Sequence, residues 1–219
     1  MNWNFIKSYK QRQINEKIKK FSNVTCESSN PSLSSLIVKF RAFDNKDGTD
    51  KDTIHSYIET YEKVYAPLRH RARNVLEIGI YSGAFLEILA DYFEIAQIYG
   101  IDIDLSNLRF GMDNRRIHSY EMNGTDPNSV KKLGINSYDL IIEDGSHIPD
   151  EQVATFYNFA SLVGPRGIYI MEDINSRALT TLRPRIAQIA NANNMDFEII
   201  DLRYVKGRHD DICMIAMKE

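Results

Sequence analysis

From residue 73 onward the chain alternates short β-type runs with longer stretches whose apolar positions recur at helical spacing. The runs at 73–78, 96–102, 116–121, 138–143, 166–171, 196–202 and 211–217 predict strands, and the periodic stretches predict helices over 52–69, 83–93, 127–133, 148–162 and 177–192. Strands alternating with helices in this way imply βαβ units and a parallel sheet with helices on both faces. The last two runs are joined only by Tyr204-Val-Lys-Gly-Arg-His-Asp-Asp211. That link is too short for a parallel crossover, so the final strand is expected to be antiparallel. The fold class is therefore α/β, a doubly wound, seven-stranded, mostly parallel sheet with an antiparallel C-terminal strand.

Upstream, Ile14, Ile18 and Phe21 share one helical face, and Ser28-Ser-Asn-Pro-Ser-Leu-Ser-Ser35 reads as a loop. This divides the chain into a basic helical extension and loop over 1–45 and a main domain over 46–219. Residues 1–20 hold six Lys or Arg against one acid, a charge of +5. The whole chain carries −3, which leaves −8 for the remainder. A net-acidic body argues against nucleic acid as the main substrate. The basic helix packs on the domain or on a second copy, or attaches to a membrane surface or polyanion. No stretch has the roughly 18–20 apolar residues of a membrane span. The first residues lack the apolar core of a signal peptide, and a cytoplasmic protein is expected. Cys26 and Cys213 form neither a disulfide framework nor a zinc pattern, and Cys213 reads as a core residue.

The chemistry gathers where strands end. Asp144 closes the run from Tyr138, His147 follows three residues later, and Glu172-Asp173 closes the run Gly167-Ile-Tyr-Ile-Met171. Desolvated carboxylates either pair or bind a cation. Asp144, Glu172 and Asp173 read as hard oxygen ligands for Mg²⁺, with His147 as an attached general base. Two other readings stand beside this: His147 as an exposed loop histidine, and the Glu172-Asp173 pair as a helix cap next to a solvated acid. The first strand ends in Glu77-Ile-Gly79-Ile-Tyr81-Ser-Gly83 and the second in Asp102-Ile-Asp104. Glycines there admit close backbone approach beside a helix start, and an acid about 20 residues on can meet ribose hydroxyls. The order E-x-G-x-x-x-G places a carboxylate inside the turn. That repels a pyrophosphate but suits a ligand carrying an amine and a sulfonium, so S-adenosylmethionine fits better than a dinucleotide.

These residues resemble a known family. Gly48-Thr-Asp-Lys51, Val75-Leu-Glu-Ile-Gly-Ile80, Gly100-Ile-Asp-Ile-Asp104, Glu143-Asp-Gly-Ser-His147 and Met171-Glu-Asp-Ile174 are similar to motifs of class I S-adenosylmethionine-dependent methyltransferases. Within that class they resemble the metal-dependent sugar O-methyltransferases of the macrocin and mycinamicin type, with cephalosporin-hydroxylase-like relatives. The resemblance implies a Rossmann-like methyltransferase fold and a cofactor set of Lys51, Glu77, Gly79, Tyr81, Gly83, Asp102, Asp104, Asn123, Thr125 and Asp144. It also implies metal ligation by Asp144, Glu172 and Asp173, with His147 catalytic. Asp50 and Lys51 either cap the helix beginning near 52 or help close the cofactor pocket. His55, Tyr57 and Tyr61 read as core first and acceptor wall second, and Lys206-Gly-Arg-His209 as a solvated turn first and a contact for an anionic acceptor such as a nucleotide diphosphate second. The expected activity is Mg²⁺-dependent methylation of a sugar hydroxyl on a nucleotide-activated sugar, polysaccharide precursor or glycoside, by a possible homo-oligomer. The alternatives are a catechol-type O-methyltransferase and a catalytically silent cofactor-binding partner subunit.

Overall fold

The computed structural model describes residues 3–21, 30–41 and 48–219. Cys26, the first part of the expected 28–35 loop and the 45/46 division lie outside them. The elements in chain order are α1 (Trp3–Lys19), α2 (Leu33–Leu36), α3 (Ile58–Tyr65), β1 (Asn74–Ile78), α4 (Ala84–Tyr92), β2 (Gln97–Asp102), β3 (Ile117–Glu121), α5 (Pro127–Leu133), β4 (Tyr138–Glu143), α6 (Pro149–Phe159), β5 (Val163–Met171), α7 (Leu179–Ala192), β6 (Met195–Asp201), α8 (Arg203–Lys206) and β7 (Ile212–Lys218). One seven-stranded sheet has the order β3-β2-β1-β4-β5-β7-β6. β1 to β5 pair in parallel, and β7 runs antiparallel to both β5 and β6. The short link before β7 forces that reversal, as its length implied.

Each face of the sheet buries its own core. Val75, Ile98, Leu140, Ile142 and Ile170 pack under α3 and α4, while Leu76, Ile141, Tyr169, Met171 and Met214 pack under α6 and α7. The first core also takes Ile14, Ile18 and Phe21, so the basic N-terminal helix lies on this domain. Lys17 Nζ donates to the Ile199 carbonyl at 2.8 Å, and Lys20 Nζ reaches Asp196 at 2.8 Å and Glu198 at 3.0 Å on the outermost strand.

Four local expectations are corrected. The helix expected from 52 starts at Ile58, so Asp50 and Lys51 do not cap it. Instead the Asp50 carbonyl gathers the amides of Thr53, Ile54 and His55 in a compact turn. Lys206 Nζ clasps that turn by donating to the carbonyls of Asp52, Thr53 and His55, so Lys206 is more than a solvated residue. α2 occupies part of the expected loop, with the Ser32 side chain accepting from Ser35 N at its start. α8, a single turn, interrupts the link before β7.

The strand order reverses between β1 and β4. In an open α/β sheet that point leaves a crevice beyond the carboxyl ends of the strands. Glu77, Asp102, Glu143 and Asp144 all stand at those ends.

Candidate active site

A cavity of about 710 Å³ fills the crevice, within the range of small-molecule sites. Lys51, Glu77, Gly79, Tyr81, Asp102, Asn123, Thr125, Asp144, His147 and Asp173 all line it. Gly83, Asp104 and Glu172 do not. Gly83 shapes the turn instead: its φ is +81°, and a Cβ there would sit 2.8 Å from the Phe110 carbonyl oxygen. Asp104 caps the short 3-10 turn at Leu105–Asn107, accepting from Ser106 N at 2.8 Å and Ser106 Oγ at 2.9 Å.

The glycine turn is held from inside. Asp102 Oδ2 accepts the amides of Ile80 and Tyr81, each at 2.9 Å, and Oδ1 accepts Asp104 N at 3.2 Å. Asp102 therefore organises the turn as well as lining the cavity. Gly79 adopts φ +86°, and a Cβ there would lie 2.1 Å from the Asp144 carbonyl oxygen. Only glycine lets the β1 turn meet the β4 loop backbone to backbone. Asn123 Oδ1 accepts from both Thr125 N and Thr125 Oγ1, which folds the loop after β3 into an Asx turn at the cavity wall.

Lys51, expected to cap a helix or help close the cofactor pocket, is drawn among the acids. Its side chain is 2% exposed, and Nζ lies 2.5 Å from Asp144 Oδ2, 2.8 Å from Glu172 Oε2 and 3.7 Å from Glu77 Oε1. Burial works against its charge, but Asp144, Glu172 and Glu77 outweigh it and hold the ammonium well above its ordinary pKa. Burial likewise opposes ionisation of Asp144, yet Lys51 and His147 keep that carboxyl below its ordinary value. Glu172 is pushed up by burial, with Lys51 only partly countering. Glu77 rises to about 8, chiefly through burial, and its Oε2 has no partner.

Asp144, His147 and Asp173 share a second centre. His147 Nε2 is 3.3 Å from Asp144 Oδ1, and Nδ1 is 3.3 Å from Asp173 Oδ2. Among the described residues these three offer ligand atoms within 4.8 Å of one another, a spacing that suits a divalent cation. Glu172, expected in the same set, turns its Oε2 to Lys51 and leaves Oε1 without a partner. The Asp144 contact, set against burial and reinforced by Asp173, raises His147 to about 9. Burial, then Asp144, raises Asp173. Tyr81, His147 and Asp173 all carry left-handed backbone, at φ 44°, 57° and 51°. Such conformations cost roughly 1–3 kcal/mol each and concentrate where function requires them.

Sequence reasoning passed over several residues. Glu143 lines the cavity, is 2% exposed, and is raised to about 8 by burial and then Asp144. Its place beside Asp144 in the Glu143-to-His147 stretch was the available signal. Tyr57, buried as expected of a core residue, also sends its hydroxyl to Asp173 Oδ1 at 2.5 Å. Gln152 Nε2 donates to the Glu172 carbonyl at 2.7 Å, fixing the end of β5 from α6. Helical spacing explains the burial of Gln152, and the apolar bulk of Tyr57 its core position, but neither gives any hint of these polar contacts.

Comparison with known proteins agrees with the geometry. The family model described as FtsJ-like methyltransferase matches residues 57–202. Over 139 residues the chain is 35% identical to the 8-demethyl-8-alpha-L-rhamnosyl tetracenomycin-C 2'-O-methyltransferase of Streptomyces olivaceus, covering 59% of this chain and 36% of that protein. Over 159 residues it is 29% identical to the Mycinamicin VI 2''-O-methyltransferase of Micromonospora griseorubida, covering 68% and 37%. The chain thus spans about a third of the length of these curated relatives. Among solved structures, the MycE methyltransferase of the mycinamycin biosynthetic pathway, in complex with Mg and SAH, superposes with a TM-score of 0.67 at 22% identity. It covers 88% of this chain and 56% of that one, which establishes the shared fold.

Proposed function

We propose that this chain, which belongs to the FtsJ-like methyltransferase family, moves a methyl group from S-adenosylmethionine to a sugar hydroxyl of a small glycosylated acceptor, with a divalent cation, Mg²⁺, at its acid centre. The observation that carries this reading is the placement of Asp144, His147 and Asp173 around one point of the cavity that also holds the glycine turn. The residues fit both groups. Glu77 offers an unpartnered, buried oxygen beside a turn that only glycine can form, which suits a cationic donor. Hard carboxylate oxygens suit Mg²⁺. The proposed ligand set is Asp144, Asp173 and Glu172; the first two already share a centre with His147, while Glu172 faces Lys51.

Bound there, the ion would polarise the acceptor hydroxyl and neutralise the carboxylates that hold His147 protonated. The protein's own task is orientation and proton removal. Tyr81, Asn123 and Thr125 wall the donor side, and Lys51 fixes Asp144 from behind. The His147 imidazole, 42% exposed at the cavity, takes the hydroxyl proton as the oxygen attacks the sulfonium methyl in line. The charge of the lining favours a neutral glycoside over a nucleotide-diphosphate sugar. Asp50, Asp102, Asp144, Glu151 and Asp173 face the cavity against Lys51 and His147, even with Glu77 and Glu143 left out because burial raises each to about 8.

The test is turnover with S-adenosylmethionine, Mg²⁺ and a panel of neutral glycosides and nucleotide sugars, read by mass spectrometry, with and without EDTA. His147→Ala is expected to keep S-adenosylhomocysteine binding while losing at least about 100-fold in kcat, the scale of a lost general base. Full activity in that variant, or turnover indifferent to EDTA, refutes the reading.

A further inference from the structure

We infer that Tyr57 is a positioning residue that turns Asp173 so that one carboxylate oxygen faces the cation centre. This rests on the proposal that Asp144 and Asp173 hold a divalent cation. The Tyr57 hydroxyl donates to Asp173 Oδ1 at 2.5 Å and accepts from the Asp173 backbone N–H at 3.1 Å. One group therefore fixes both the carboxylate and the left-handed backbone that carries it. With Oδ1 engaged, Oδ2 is the oxygen left toward the centre, 3.3 Å from His147 Nδ1. His55 Nδ1 also lies near this oxygen, 3.2 Å from Oδ1, close enough for a charge interaction, although it makes no hydrogen bond there.

The Tyr57 ring is itself held firmly. It is fully buried, stacked between His55, with ring centres 5.1 Å apart, and Tyr61, at 5.6 Å. The next two members of the column supply an internal contrast. The hydroxyls of Tyr61 and Tyr65 are buried with no hydrogen-bond partner, so the column packs without needing its oxygens. The hydroxyl of Tyr57 alone among these three meets a carboxylate. Residues that orient metal ligands in this way typically change metal affinity by 10–100-fold when removed.

The test uses Mn²⁺ as the probe, titrated into the full chain and followed by the electron paramagnetic resonance of the free ion. Tyr57→Phe keeps the ring and removes the oxygen; Tyr61→Phe is the matched control. Tyr57→Phe is expected to weaken Mn²⁺ about 10–100-fold, whereas Tyr61→Phe and the calorimetric S-adenosylhomocysteine affinity of both variants stay within about twofold of wild type. In an Asp173→Ala background, Tyr57→Phe should change Mn²⁺ affinity no further, because the hydroxyl acts through that carboxylate. Unchanged Mn²⁺ binding in Tyr57→Phe, or full additivity with Asp173→Ala, overturns the inference and leaves the cation site standing. Loss of S-adenosylhomocysteine binding together with Mn²⁺ makes Tyr57 a folding residue only and overturns it too. A wild-type chain that binds no Mn²⁺ defeats the cation site first, and the inference with it.

Discussion

Replacing Glu77 with glutamine should make the ligand-free protein more stable and worse at binding its donor. Glu77 is 2% exposed, its Oε2 has no partner, and Lys51 Nζ stands 3.7 Å from Oε1. Burial pushes it to about 8 from an ordinary 4.5. Between those values the folded chain keeps a proton that the unfolded chain has released, so stability falls as pH rises. The loss is absent below about 4.5, grows through the window, and is complete above about 8. At about 1.4 kcal/mol per pH unit, the whole gap from 4.5 to about 8 amounts to roughly 5 kcal/mol, and roughly 3 kcal/mol of it is felt at pH 7. A neutral amide of the same shape removes that penalty. For a chain of this size, about 2–4 °C per kcal/mol puts the gain at roughly 6–12 °C in Tm at pH 7. Thermal melts of both proteins from pH 5 to 8.5, in EDTA and without donor, give the difference directly. It should be small at pH 5 and widen steadily toward pH 8. S-adenosylhomocysteine affinity, by calorimetry, should fall at least about tenfold, the scale of one lost charge-assisted hydrogen bond. A Tm difference that does not change with pH, or a variant less stable throughout, refutes the account of Glu77 as a strained, uncompensated acid.

Two further substitutions test the frame around it. Gly79→Ala places a methyl against the Asp144 carbonyl in a backbone conformation that disfavours side chains. It should destabilise the fold by about 1–3 kcal/mol and weaken S-adenosylhomocysteine, whereas unchanged melting and affinity would show that the turn and the β4 loop do not press together. Lys51→Met leaves Asp144, Glu172 and Glu77 around an empty ammonium position, and breaking such a buried pair costs about 3–5 kcal/mol. Urea unfolding measures that loss; a variant within about 1 kcal/mol of wild type would mean the ammonium contributes no more than a surface pair.

Much of this architecture was legible because central parallel strands leave little choice of residue. Val75–Ile78 and Leu140–Ile142 are buried on both faces, and their runs, broken only by Glu77, mark the strands to within a residue. The acids at their tips stand out by contrast, which is why Glu77, Asp144 and Asp173 could be assigned to one site. The approach to α3 was not legible. Ile54, His55, Tyr57 and Tyr61 carry apolar or aromatic character at near-helical spacing, yet residues 50–57 form a turn. What decides it is Lys51, drawn into the acids by contacts 93 and 121 residues distant in sequence, and Lys206, which clasps the turn's carbonyls from near the other end of the chain. A local pattern carries no trace of such partners. The same holds for Glu172, whose position beside Asp173 suggests shared duty, although β5 ends at Met171 and the left-handed backbone of Asp173 gives the two carboxylates different directions. One meets His147 and the other Lys51.

The N-terminal helix also has a consequence for handling the protein. β6 is an edge strand, and the C-terminal end of the helix reaches it, with lysine amines seated on one of its carbonyls and two of its carboxylates. Residues 17–20 and 196–199 are thereby buttoned to each other. A shortened version beginning after Phe21 would carry a bare β-edge, with open backbone groups able to recruit any passing extended peptide. The stretch that looks most dispensable in the sequence therefore acts as a selvedge, and trimming it exchanges a closed border for an adhesive one.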